Sequence, residues 1–285
     1  MKPSVQASFN TRDSIIYALG IGCKDRRHLY EHADGFESFP TIAIALTLKG
    51  SSLDVQPFPP SFFPMSSVPV NGPVLDGERE LELFRPLRSS ESFWMTVGEK
   101  AVYGSGSGTV LQTETILADD SGRAVAKITA NTFFVGTKCF DAVGVPRKFT
   151  RPVPSDRAPD FIVEEATTPE QAALYRLSGD YNPLHIDPDI ASAFGYERPI
   201  QHGLCTLGFA TRLVIQTCGN NEGSRLSKVA CRFSKPTYPG RVLVVEMWKV
   251  GSHSVSFRVK DKEAGVVVLD HAYVNFGFKS ATAKL

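Results

Sequence analysis

The sequence has no CxxC pair, and its five cysteines, Cys23, Cys139, Cys205, Cys218 and Cys231, are odd in number. Nothing in that usage points to a disulfide framework, and it fits a reducing compartment. Blocks of like charge are missing too. Thirty-one basic residues against 30 acidic ones leave a net charge of +1, which argues against a nucleic-acid partner. No apolar run approaches the roughly 20 residues of a membrane span, and the opening MKPSVQASFN lacks the apolar core of a secretory signal. A soluble, non-secreted protein is expected. Gly20-Ile21-Gly22 lacks the third glycine of a dinucleotide fingerprint, and GSGSG at 104–108 lacks the Lys-Ser/Thr of a phosphate loop, so no nucleotide cofactor is implied.

What is present is ample core-forming content, 42% hydrophobic over 285 residues, enough for one large domain or two small ones. Proline marks two zones. Gln56–Gly77 holds six prolines and suits an ordered surface excursion, whereas Val145–Asp160 holds four among charged residues and reads as a linker. The flanking halves repeat a pattern. Arg85-Pro86 and Lys235-Pro236 each precede alternating apolar and polar segments, and each half closes on an aromatic strand ending in glycine, Gly136 or Gly277. The expected division is 1–145, a linker at 146–160, and 161–285, with an antiparallel sheet wrapped on a helix in each half.

Chemistry concentrates between Tyr175 and Leu207. Thr168, Pro169 and Gln171 predict a capped helix start with a capping box, and Gly179 a left-handed end. Pro183 bars helical geometry at Asn182, so Asp180, Asn182 and His185 should share a rigid turn. Asp187-Pro188 begins a short helix closed by Gly195, and a helix beginning near Gly203 would aim unpaired N–H groups at that turn. A carboxylate, an amide, an imidazole and such an N–H can activate water and stabilise an oxyanion. On spacing alone, a purely structural turn is an equal alternative. A metal site is not expected, because helix starts account for Asp187 and Asp189 and leave two ligands. His202 beside Cys205 offers little for thiol catalysis, since Cys205 lies on an apolar helix.

The run Tyr175–Ala191, with SGDYNPLHID at its centre, is similar to the signature of the (R)-specific enoyl-CoA hydratases of the MaoC-like, hydratase 2 family, peroxisomal eukaryotic type. The resemblance extends through RFSKPTYPG and implies an α+β double hot-dog fold. It also implies that Asp180 and His185 hold a catalytic water, that Asn182 orients it and that the Gly203 backbone stabilises the oxyanion. Asp76, Gly77, Ser105, Tyr181, Pro183, Leu184 and Phe233 fall in the implied acyl-CoA-binding set. Asp76 stands where some relatives carry His, and the 104–108 loop lacks a Lys that some carry. The first half, without an Asp-x-Asn-Pro-x-His turn, would be non-catalytic and leave room for the acyl chain. Phe36, Phe39, Phe58, Phe62 and Phe63 are candidates to line that room, although ordinary core packing accounts for most of them more simply.

The implied reaction hydrates trans-2-enoyl-CoA to (3R)-3-hydroxyacyl-CoA with no cofactor or metal, coenzyme A being part of the substrate. A homodimer is implied. Ala283-Lys284-Leu285 resembles a Ser-Lys-Leu address for a peroxisomal import receptor. The alternatives are a dehydratase of carrier-protein thioesters, a thioesterase, and a non-catalytic acyl-CoA-binding protein.

Overall fold

A computed structural model describes residues 4–62, 68–69, 72, 74–138 and 142–278. The first half runs β1 (Ser4–Phe9), α1 (Thr11–Gly20), α2 (Arg26–Leu29), α3 (Ile42–Lys49), β2 (Val74–Leu83), β3 (Glu91–Ser105), β4 (Gly108–Ala118) and β5 (Ala124–Val135). The second runs β6 (Phe161–Ala166), α4 (Gln171–Tyr175), α5 (Pro188–Ala193), α6 (Gly203–Cys218), β7 (Leu226–Phe233), β8 (Val242–Gly251), β9 (Ser254–Asp261) and β10 (Val266–Phe276).

All strands pair antiparallel in the order β1-β3-β4-β5-β2-β7-β10-β9-β8-β6. Reading outward from the central β2·β7 pair, both halves give the same succession. The expected double hot-dog is therefore present, with its two sheets joined edge to edge. Opposite charges face each other across the join: Arg232 meets Glu78 at 2.8 Å and Lys228 meets Glu82 at 3.1 Å.

A helix lies against each half-sheet. In α3, IAIALTLK is apolar nearly all round, and seven of its eight residues are buried. In α6 every residue from Leu204 to Ile215 is buried. These helices and the inner strand faces share one apolar core, with Leu46, Leu81 and Met95 from one half and Leu207, Met247 and Phe257 from the other.

The linker is an ordered strap over the join. Gln112 and Arg147 exchange two hydrogen bonds of 2.9 Å, Thr150 Oγ1 donates to Glu78 at 2.8 Å, and Phe149 packs with Ala230 and Tyr273. Arg147 reaches Glu80 at 2.5 Å, and Glu80 also accepts from the Tyr273 hydroxyl at 3.2 Å. Buried polar groups on this face are thus partnered across the two halves.

One local expectation is corrected. Helix α4 starts at Gln171 with Glu170 before it and no side-chain cap. Gln171 accepts weakly from the Thr168 N–H at 3.5 Å, but its amide nitrogen donates to Gly20 O at 2.7 Å. The Gln171 N–H bonds the Thr168 carbonyl at 3.1 Å rather than its hydroxyl, so only the Gln171 half of the capping box is made, and weakly. Phe39 is fully buried and Phe62 packs on the core, Phe58 lines the cavity described below, and Phe63 lies outside the described residues.

Candidate active site

Gly179 has φ +123°, and a Cβ there would stand 2.5 Å from Lys49 Cβ, so backbone freedom and close packing both require glycine. The chain then turns through Asp180 and Tyr181 to Asn182, whose side chain accepts from the Leu184 N–H at 3.1 Å and caps a single 3₁₀ turn, Pro183–His185. Asp187 caps α5 through the N–H groups of Asp189 and Ile190. The expected turn, the short helix after it and the helix start at Gly203 are all present.

These elements fix the imidazole. His185 Nδ1 lies 2.9 Å from Ile200 O, which can only accept, so Nδ1 carries the proton and Nε2 keeps its lone pair. His202 Nε2 likewise donates to Asp180 O at 3.1 Å. The two rings stack with centroids 3.7 Å apart and planes at 29°. One carboxylate oxygen of Asp180 and one ring nitrogen each of His185 and His202 lie within 4.8 Å of one another.

Asp180, Asn182, His185 and Gly203 all line one cavity of about 250 Å³. Leu184, Phe233 and Asp76 line it too, with Leu48, Phe58 and Val74 forming an apolar side contributed by the first half. Four other expected residues are not in its wall. Gly77 is the β2 bulge, where a Cβ would stand 2.9 Å from Asn131 O, and bulges of this kind re-aim the neighbouring side chain, here Asp76. Ser105 is exposed at the tip of the β3–β4 hairpin, Tyr181 lies under the Arg176 guanidinium at 5.2 Å, and Pro183 shapes the turn.

Sequence reasoning missed Arg79 and gave His202 no role in the turn. Arg79 lines the cavity and donates from Nε to Asp76 Oδ2 at 2.9 Å, while Asp76 Oδ1 is buried without a hydrogen-bond partner. The signal was present in the alternation of β2, which puts Arg79 on the same face as the buried Leu81 and Leu83. Cys205 is no nucleophile: its thiol donates to Gly20 O at 3.4 Å, and burial raises it well above the ordinary thiol range.

Burial dominates the electrostatics. It raises the Asp180 carboxyl above its usual range, against the pull of His185, the Asn182 N–H and Arg79. Burial also lowers His185, against the pull of Asp180. Both shifts favour the uncharged form of the group, which keeps the imidazole neutral and makes the carboxyl a stronger base than an exposed one. Among the described residues, Asp180, His185 and His202 are the one group spaced closely enough to suggest a metal. Their geometry does not fit one. A metal lies in the plane of each imidazole that binds it, and two rings stacked at 3.7 Å and 29° do not aim their free nitrogens at a common point.

Two hot-dog units with one such constellation define a MaoC-like double hot-dog protein. A MaoC like domain matches residues 150–272, and the MFE-2 hydratase 2 N-terminal domain matches residues 8–136. "Enoyl-CoA hydratase 2, peroxisomal" of Arabidopsis thaliana is 33% identical over 94% of this chain and 90% of its own. "Peroxisomal multifunctional enzyme type 2" of Mus musculus is 37% identical over 96% of this chain, which spans 37% of that longer protein. The crystal structure of a MaoC-like dehydratase from Phytophthora capsici superposes with a TM-score of 0.90 at 36% identity, covering 98% of this chain and 96% of that one. The chain belongs to the hydratase 2 branch of the MaoC-like family.

Proposed function

We propose that this chain is a hydro-lyase that reversibly hydrates trans-2-enoyl-CoA to (3R)-3-hydroxyacyl-CoA in peroxisomal fatty-acid β-oxidation. The observation that carries the reading is the convergence of Asp180, His185 and the first residue of α6, Gly203, on one cavity with an apolar side. In this reading Asp180 and His185 Nε2 hold one water. Its oxygen bonds to C3, one of its protons passes through the pair to C2, and the negative charge building on the thioester oxygen meets the Gly203 N–H. Asn182, held by its cap to Leu184 and lining the same cavity, orients that water. Balance requires no redox agent or metal, and coenzyme A enters as part of the substrate.

The amino-terminal half (1–145) supplies the Leu48–Phe58–Val74 side of the cavity and is non-catalytic. The carboxy-terminal half (161–285) carries the chemistry, with 146–160 as linker. Asp76, Leu184 and Phe233 touch the acyl thioester, and Gly77, Ser105, Tyr181 and Pro183 complete the binding set at its margins. The chain acts as a homodimer and is imported through Ala283-Lys284-Leu285, which lies outside the described residues. Among the described residues, no helix is long and apolar enough to cross a membrane.

Purified protein should abolish the conjugated-enoyl absorbance of crotonyl- and decenoyl-CoA and yield the R alcohol on chiral analysis. Formation of the S alcohol, or release of free thiol, would overturn the assignment. The sign of the pH dependence follows from the two shifted groups. Protonating either Asp180, held above the carboxylate range, or His185, held below the imidazole range, stops the reaction. A profile of kcat/KM against pH should therefore fall on its acid side above the ordinary carboxylate range, because Asp180 is held above it. An acid limb within the ordinary carboxylate range would contradict it.

A further inference from the structure

The catalytic turn has a counterpart in the other half. Cys23, Asp25 and His28 follow Gly22 at the spacing at which Asp180, Asn182 and His185 follow Gly179, and both glycines have positive φ, +69° and +123°. Asp25 accepts from the Arg27 N–H at 2.9 Å as Asn182 accepts from the Leu184 N–H at 3.1 Å. His28 Nδ1 meets Glu37 O at 2.9 Å, as His185 Nδ1 meets Ile200 O at 2.9 Å. Two residues beyond each carbonyl an aromatic ring packs on the histidine, Phe39 in one half and His202 in the other. The mirrored strand order makes the correspondence topological as well. The halves differ where the chemistry would need them alike: Cys23 replaces Asp180, and Pro40, which has no N–H, replaces Gly203.

The chain itself fills the space beside this counterpart. Beyond α6, Asn221 Nδ2 donates to Asp25 Oδ2 at 2.8 Å, Arg27 Nη2 donates to Asn221 O at 2.9 Å, and the Gly223 N–H donates to Glu37 Oε1 at 3.1 Å. A Cβ on Gly223 would stand 3.4 Å from Pro40 Cδ, so this segment abuts the position equivalent to Gly203. The Asn221 N–H also closes α6 by bonding Ile215 O at 3.0 Å, with Asn220 and Asn221 both at φ +56°. Helix α6 has 16 residues and is about 24 Å long. One end is gripped by the first half, and the other end is Gly203. Midway, Arg212 Nε donates to Ile21 O at 3.0 Å, next to the same turn.

We infer that Asp25, Arg27 and Glu37 form a retired substrate site that now grips the C-terminal cap of α6 and so sets where Gly203 stands in the cavity. They are positioning residues, and the inference rests on reading Gly203 as the oxyanion donor. Asn221→Asp sets two carboxylates against each other in the socket while tolerating the left-handed backbone. Adding Asp25→Asn restores an amide–carboxylate pair with the roles exchanged and keeps an acceptor for the Arg27 N–H.

The single variant, assayed well below its melting temperature, should lose about threefold to tenfold in kcat with KM within about twofold of the parent. Amide exchange at 206–209, in the first turns of α6, should quicken while exchange at 42–49 in α3 stays unchanged. The double variant should recover most of the lost kcat and the slow exchange. Faster exchange confined to 219–223, with kcat unchanged, would overturn the inference. So would a failure of the double variant to recover. A parent protein that does not hydrate enoyl-CoA would sink the functional reading alone, because the exchange at 206–209 still decides whether the socket governs α6. Should the single variant not fold, Asn221→Gly keeps the left-handed backbone, removes the amide and is read by the same two measurements.

Discussion

Asp180→Asn should lower the hydration rate by about 10²–10⁴ and raise the melting temperature near neutral pH. The rate loss follows from removing one of two groups that hold and deprotonate the water. The stability gain follows from the direction in which burial moves the carboxyl. A carboxyl whose folded pKa lies above its unfolded value contributes stability that is complete below the unfolded pKa and lost as pH rises through the folded one. Near neutrality the parent therefore carries a buried carboxylate at a cost, and an amide of the same shape removes it. His185→Ala should lose rate to a similar extent without the gain, because it empties a space against the His202 ring. Progress curves with crotonyl-CoA and thermal melts on the same samples decide both points. Near-parent turnover in either variant would remove the catalytic roles.

Gly203→Ala should cost about 10²–10³ in kcat, the loss that follows removal of one oxyanion donor. The mechanism is steric. A Cβ at 203 would stand 2.9 Å from Phe233 Cδ1 and 3.0 Å from Cε1, so either the ring or the first turn of α6 must give way. Phe233 itself lines the cavity, and movement of either partner alters the distance between the N–H and the thioester oxygen. Adding Phe233→Leu should restore part of the rate by making room for the methyl group. If Gly203→Ala turns over like the parent, the helix start is not the oxyanion donor.

Local features of the site were legible in the sequence because they depend on neighbours only a few residues apart. Gly179, Asn182-Pro183, Asp187-Pro188 and Gly203 dictate left-handed, capped or helix-initiating backbone by their own geometry, and the turn follows from them. The repeated strand grammar gave the two halves, though not that β2 and β7 would join them into one sheet. Contacts across the chain were not legible. His202 has no local mark that it stacks on His185, and Gln171 has none that its amide nitrogen reaches Gly20 O in the other half. The link between Asp25 and Asn221 is of the same kind, invisible until the two halves are seen together.

The charged join at β2·β7 makes the molecule one hydrogen-bonded fabric rather than two portable modules. Cutting the strap at 145–160 would leave that seam intact, whereas expressing either half alone would bare a long strand border with its amides and carbonyls unmet and its glutamates or basic partners stranded. Natural variation and engineered fusions should therefore concentrate at the outer borders, β1 and β6, and spare the middle.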